Sequence, residues 1–170
     1  MFIEVAKGIP VWVYGLFFGL LLFGWLQSRN RIVGRGRIFL LPAAMVALSI
    51  YSATAAFGAA AAVLGAWALG LAVAVAAGRS LGPPRGAAYV EAQRAFAVPG
   101  SWVPLGLMMA IFLTRFVVGF SLARQLPMAG QADFMAGAGF LYGALSGLFL
   151  ARALNLWRVA RAPGTLAAAA

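Results

Sequence analysis

The sequence predicts an all-α membrane protein built as a bundle of five transmembrane helices, and three observations predict it. Hydrophobic residues make up 64% of the 170 and charged residues only 9%, whereas a soluble domain carries about a quarter charged residues. Several apolar runs reach the ~20 residues that a bilayer-crossing helix needs. The arginines collect in three groups between and after those runs. Residues 1–161 therefore read as one integral membrane domain, with no room for a second.

The first helix covers about residues 9–26, IPVWVYGLFFGLLLFGWL, with Pro10 in its first turn. Proline is tolerated there because the first amides have no helical partner. The segment before it is only weakly basic, with Glu4 against Lys7, and no small-residue cleavage pattern follows the apolar run. It is expected to stay as a membrane helix and not to be removed as a signal peptide. The second helix covers about 38–57, and Pro42 near its start allows a mild kink. Gly58 is the only obvious break before the alanine-rich third helix, about 59–78, so a tight helical hairpin is expected. The fourth helix covers about 102–123, with Pro104 in its first turn, and the fifth about 134–154. Residues 162–170 carry no periodic pattern and are expected to be a disordered tail.

The loop from Arg79 to Ser101 is the longest polar stretch. It opens with GRSLGPPRG, where Pro83 and Pro84 forbid helix. In AAYVEAQRAFAVPGSW, apolar and polar residues alternate on either side of EAQRA. Period-two alternation suggests two short strands. Two readings stand side by side: a small β-hairpin at the inner membrane surface before the fourth helix, or an irregular amphipathic loop. Trp102 would sit at the interface, where tryptophan is favoured.

The net charge is +10. With five crossings, Arg29, Arg31, Arg35 and Arg37, then Arg79, Arg85 and Arg94, then Arg152, Arg158 and Arg161 all fall on one side. The other side keeps Lys7 and Arg124, with Glu4 and Asp133. The positive-inside rule then puts the N-terminus outside and the C-terminus inside a bacterial inner membrane. The charge thus reads as topology, and no nucleic-acid partner is expected. Arg29, Arg31, Arg35 and Arg37, in QSRNRIVGRGR, are also placed to contact anionic lipid headgroups of the bilayer.

The chain has no cysteine and no histidine. That excludes disulfides, thiolate metal sites, Cys–His and Ser–His–acid catalysis and any histidine base. The three carboxylates are scattered, and GRGR lacks the context of a phosphate-binding loop. Met128 and Met135 flank Asp133, and thioethers suit Cu(I), but methionine is also an ordinary apolar filler. No enzyme, cofactor or metal site is expected.

One charge lies where insertion alone does not need it. Arg115, in FLTRFVVGF, is eleven residues from Pro104 and nine from Arg124, roughly 15 Å from either end of its helix. A charge there costs on the order of 3 kcal/mol, and its five N–H donors need acceptors. No carboxylate sits at that depth. Tyr51, Tyr142 and Ser146 do, with Ser49 or Ser52 beside Tyr51, so a polar layer of Tyr51, Ser52, Arg115, Tyr142 and Ser146 is expected. Three roles are open for the arginine: a structural tie to hydroxyls and carbonyls, a side chain that snorkels to headgroups, or a functional charge facing an anion.

Gly139, Gly143 and Gly147 recur every four residues in the fifth helix, and Gly15 and Gly19 do so in the first. Small residues at this spacing let helix backbones approach closely. Packing within the bundle is one use; a homo-oligomer or a membrane partner is the other.

Three stretches, PVWVYGLFFGLLLFGWLQSRNR, GRIFLLPAAMVALSIYS and VPGSWVPLGLMMAIFLTRFVVG, together resemble a family of small inner-membrane proteins of proteobacteria whose domain has no known function. The likeness covers most of the chain up to about Trp157. It implies that Pro99, Gly100, Ser101, Trp102 and Arg115 are family features, and it brings no activity. The expected function is a small transporter-like or anion- or lipid-binding bundle organised around Arg115. The alternative is a non-catalytic accessory or scaffold subunit of a larger membrane complex.

Overall fold

The computed structural model describes residues 11–34, 36–83, 86–90 and 95–161. The expectations for Glu4, Lys7, Pro10, Arg35, Arg85, Glu91, Arg94 and the tail 162–170 lie outside the described residues. Helix α1 spans Val11–Gln27, α2 Arg37–Phe57, α3 Ala61–Ser80, α4 Val103–Ala123 and α5 Ala132–Arg161. Helices α2, α3, α4 and α5 are long and apolar enough to cross a membrane, and α1 is a shorter apolar helix. Their outward faces are apolar too: Leu40, Leu48, Leu69, Val73, Leu113 and Val117 are all exposed. Such a surface suits lipid, not water.

The bundle is organised by α3 and α5, which run parallel. A Cβ placed on Gly139 would stand 2.8 Å from the Val63 carbonyl oxygen, and one on Gly147 would stand 2.7 Å from that of Leu71. A Cβ on Gly143 would overlap the Trp67 carbonyl, and one on Gly70 would overlap that of Phe140. The register advances four residues on each helix at every step, from 63 and 139 to 71 and 147, so the backbones stay side by side over successive turns. In lipid there is no hydrophobic force between helices, and close van der Waals contact must hold them. The spaces at Gly139, Gly143 and Gly147 are thus filled by α3 of the same chain, the intramolecular use of their spacing.

Helix α2 lies antiparallel on α5, with Ala53 and Tyr142 in one buried cluster with Val63, Val118 and Ala138. Helix α4 packs on α5 and α2, and α1 packs antiparallel on α4. Phe17 meets Phe112 at 5.5 Å between ring centroids. Gly58 closes α2 at φ +72° and donates its N–H to the Thr54 carbonyl at 2.8 Å. This is the tight turn expected between α2 and α3.

Three short strands form an antiparallel sheet at one end. They are β1 (Arg31–Gly34), β2 (Ala88–Val90) and β3 (Ala95–Val98), in the order β1-β3-β2. The hairpin reading of the 79–101 loop holds, with Tyr89 opposite Phe96. The sequence reading missed β1, where Val33 pairs with Phe96. Four residues, RIVG, between two apolar helices are too short to show a usable alternation, and β3 recruits them. One sheet face, Val33, Tyr89, Phe96 and Val98, packs on Ile38, Ala153 and Leu156. This contact also explains why α5 outruns its expected end at residue 154: Leu156 and Val159 are buried.

Two polar contacts seal this end. Asn30 accepts a hydrogen bond from the Gly100 amide at 2.8 Å, and a Cβ on Gly100 would overlap the Ser28 carbonyl. Glycine is needed there because α1's exit and α4's approach cross in contact. The Asn155 amide donates to the carbonyls of Gly78 and Gly82, both at 2.8 Å, and so satisfies carbonyls that the end of α3 leaves free.

Two sets of substitutions test this packing by thermal unfolding in detergent. Gly143→Ala and Gly100→Ala are expected to destabilise by about 1–3 kcal/mol through overpacking, whereas Gly15→Ala, which meets no neighbouring atom, stays neutral or gains up to ~1 kcal/mol. Asn155→Leu leaves the two carbonyls without their donor and is expected to cost roughly 1–3 kcal/mol.

Candidate functional site

The sheet decides which ends of the helices lie together. It joins the link after α1 to the loop after α3, and the last turns of α5 pack beneath it. Arg29, Arg31, Arg37, Arg79, Arg152 and Arg158 therefore share one end of the bundle. Arg124 and Asp133 lie at the other, beside the 3-10 turn Pro127–Gly130. Arg29 stacks on Trp25, its guanidinium carbon 5.4 Å from the ring centroid, and Arg158 reaches the Arg79 carbonyl at 3.5 Å.

Arg115 is half-buried on α4, twelve residues after Val103 and eight before Ala123. Its guanidinium donates to the Ser52 hydroxyl on α2. The Ser52 hydroxyl in turn donates to the Leu48 carbonyl, as serines inside membrane helices commonly do. Ser52 lies five residues from the end of α2, ~8 Å along the axis. The charge is thus drawn from the middle of α4 towards the end away from the sheet. Among the described residues, Ser52 is the one side-chain hydrogen-bond partner of Arg115, and no carboxylate pairs with it.

Tyr142 is 3% exposed, packs in the cluster with Val118 and Ala53, and lies within electrostatic reach of the Arg115 charge. Ser146 is fully buried but belongs to a second chain of hydrogen bonds. The Trp67 indole N–H donates to Ser49 at 3.0 Å, Ser49 donates to Ser146 at 3.1 Å, and Ser146 donates to the Tyr142 carbonyl at 2.8 Å. This chain ties α3, α2 and α5 together and leaves none of its hydroxyls unpaired.

Tyr51 departs from the expected layer. It is 66% exposed, on the outward face of α2. Ser49 and Ser52 are three residues apart and share the inward face, and Tyr51 between them cannot. Depth along a helix is readable from numbering; the direction of a side chain around it is not. Thr114 bonds back to the Ala110 carbonyl at 2.8 Å and takes no part. The sequence reading missed Trp67, whose spacing of four from Val63 and Leu71 could have placed it on the helix face that meets α5. It also missed Asn155, an amide inside an apolar run.

The site can therefore do two things chemically. Its serine chain is a satisfied structural network. Its arginine presents a positive charge matched, among the described residues, by a neutral hydroxyl, and a guanidinium has five N–H donors. Among the described residues no cluster of carboxylates could hold a metal ion.

No curated protein and no solved structure matches the chain. The chain matches the pattern of the Family of unknown function (DUF6622) over residues 1–165, and it belongs to that family.

Proposed function

We propose that the chain is a non-enzymatic, multi-pass protein of a bacterial inner membrane that binds an anion at Arg115. Helix α1 serves as the fifth crossing, with the N-terminus outside and the arginine-rich end in the cytoplasm. The observation that carries the binding reading is the state of Arg115: half-buried within α4, bonded to the neutral Ser52, with no described carboxylate to cancel its charge. A cation held at such depth attracts a carboxylate, a phosphate or a lipid headgroup. Ser52 and Tyr142 supply the adjoining polar groups. A transporter-like role follows if the anion exchanges between the two ends.

A second reading, an accessory subunit of a larger complex, has one feature in its favour. Tyr51 presents a hydroxyl on the outward face of α2, and a neighbouring helix would give it a partner. Gly139, Gly143 and Gly147 do not support that reading, because α3 covers them.

The test is thermal unfolding of the purified protein, Arg115→Ala and Arg115→Lys in detergent against a panel of inorganic anions, carboxylates and anionic lipids. A ligand at a hundred times its Kd is expected to stabilise the parent by about 2.7 kcal/mol and to leave Arg115→Ala unmoved. If both variants lose several degrees and no anion shifts the parent, Arg115 is a structural tie. Orientation is checked separately, since the chain has no native cysteine. In intact cells a membrane-impermeant maleimide is expected to label Met128→Cys and to label Leu81→Cys only after permeabilisation; the reverse pattern overturns the topology.

A further inference from the structure

The face of α4 that carries Arg115 is closed on one side of that residue and open on the other. Pro104, Met108, Ile111, Arg115, Gly119 and Leu122 follow one another at steps of three and four, so they share one face. Towards the sheet, Pro104 and Met108 are buried and Ile111 is half-buried. Towards the other end, Gly119 and Leu122 are exposed. A Cβ placed on Gly119 would meet no atom within 4 Å. On α2, Ala55 lies one turn beyond Ser52 in the same direction and is exposed too.

Depth and composition together select the ligand class. Gly119 is four residues before Ala123, the last of α4, ~6 Å from the end of the span. The Arg115 guanidinium is drawn to a similar level by Ser52. Tyr142 is 3% exposed and within electrostatic reach of that charge, and its hydroxyl makes no hydrogen bond among the described residues. A guanidinium and a phenol O–H are both donors, and an oxyanion accepts from both. The surroundings of these donors are apolar: Gly119, Leu122 and Ala55 carry no polar side chain. A free anion would have to shed its water to enter there. A lipid of the adjoining leaflet is held at that level by its own chains, which raises the local concentration of its headgroup. The oxyanion that such a lipid carries just outside the apolar span is a phosphate.

We propose that Arg115 holds the phosphate of a glycerophospholipid from the leaflet at the end away from the sheet, with the phosphate seated over Gly119 and its chains in the surrounding hydrocarbon. The proposal rests on the anion reading of Arg115 and narrows it in two ways. It names a phosphate carried on apolar chains as the ligand. It also makes the site one-ended, because Met108 and Pro104 close the same face towards the arginine-rich end, so the ligand enters and leaves by one leaflet. Gly119 is the residue that sequence and depth alone do not single out: its missing side chain is the space for the headgroup.

The experiment is thermal unfolding of the full chain in neutral detergent with added dioctanoyl phosphatidylglycerol, dioctanoylglycerol or inorganic phosphate. The expected result is a rise on the order of 5 °C with saturating phosphatidylglycerol, and little with the other two. Gly119→Leu fills the seat and is expected to weaken the apparent Kd roughly tenfold. Gly106→Leu, on the opposite face of α4 and equally free of neighbours within 4 Å, keeps the parent's Kd. If Gly119→Leu binds like the parent while Arg115→Ala does not bind, the seat is overturned and the anion reading stands. Equal weakening in Gly119→Leu and Gly106→Leu also overturns the seat. An equal rise with inorganic phosphate overturns the lipid as the source, and an equal rise with dioctanoylglycerol overturns the phosphate. No rise with any of the three overturns this inference, and the anion reading falls with it if no other anion shifts the parent. Should Arg115→Ala not fold, Tyr142→Phe keeps the packed ring and removes the hydroxyl; a Kd weakened about fivefold supports the site, and an unchanged Kd overturns it.

Discussion

The close approach of α3 and α5 is the constraint on which the other contacts depend. Gly139, Gly143 and Gly147 sit against the carbonyls of Val63, Trp67 and Leu71 in step. No side chain intervenes, so the two backbones act as one rigid post. Helix α2 then lies on α5 through Ala53 and Tyr142, and the Trp67–Ser49–Ser146 chain pins all three helices at one level. In a lipid environment this order of assembly has a physical reason. Hydrophobicity inserts helices without choosing their neighbours, and shape and hydrogen bonding make the choice.

The end of the bundle is held differently. There the loops leave the apolar spans, and their backbone groups need partners. The sheet meets that need by pairing the link after α1 with the loop after α3. Asn155 and Asn30 satisfy groups that the strands do not reach. The result gathers three arginine-bearing segments at one surface. In the topology we propose, that surface lies at the cytoplasmic face, where positive charge is retained during insertion and anionic headgroups are abundant.

Arg115 stands apart from both systems. It bridges α4 to α2 through a serine that could be supplied by water or by a ligand oxygen equally well. The serine chain nearby shows what a purely structural polar network looks like in this bundle: neutral, centred on the buried Ser146, and fully paired. Arg115 is charged, and its side-chain partner among the described residues is one neutral hydroxyl. The contrast within one molecule supports a binding role for the charge more than its depth alone does.

Much of the architecture was legible in the sequence. Hydropathy located the helices, Gly58 the hairpin turn, the alternation around EAQRA the pair β2 and β3, and the four-residue glycine spacing a close helix contact. These are local signals, carried by residues near one another in the chain. The partner of those glycines, the recruitment of β1, the length of α5 and the outward turn of Tyr51 were decided only by tertiary structure. Each depends on which element arrives alongside, and on the azimuth of a side chain around its helix. A shift of one residue turns a side chain by ~100°. A hydropathy run that is apolar on every side carries no record of which face will meet a neighbour, and in this protein the packed α3–α5 pair supplies it.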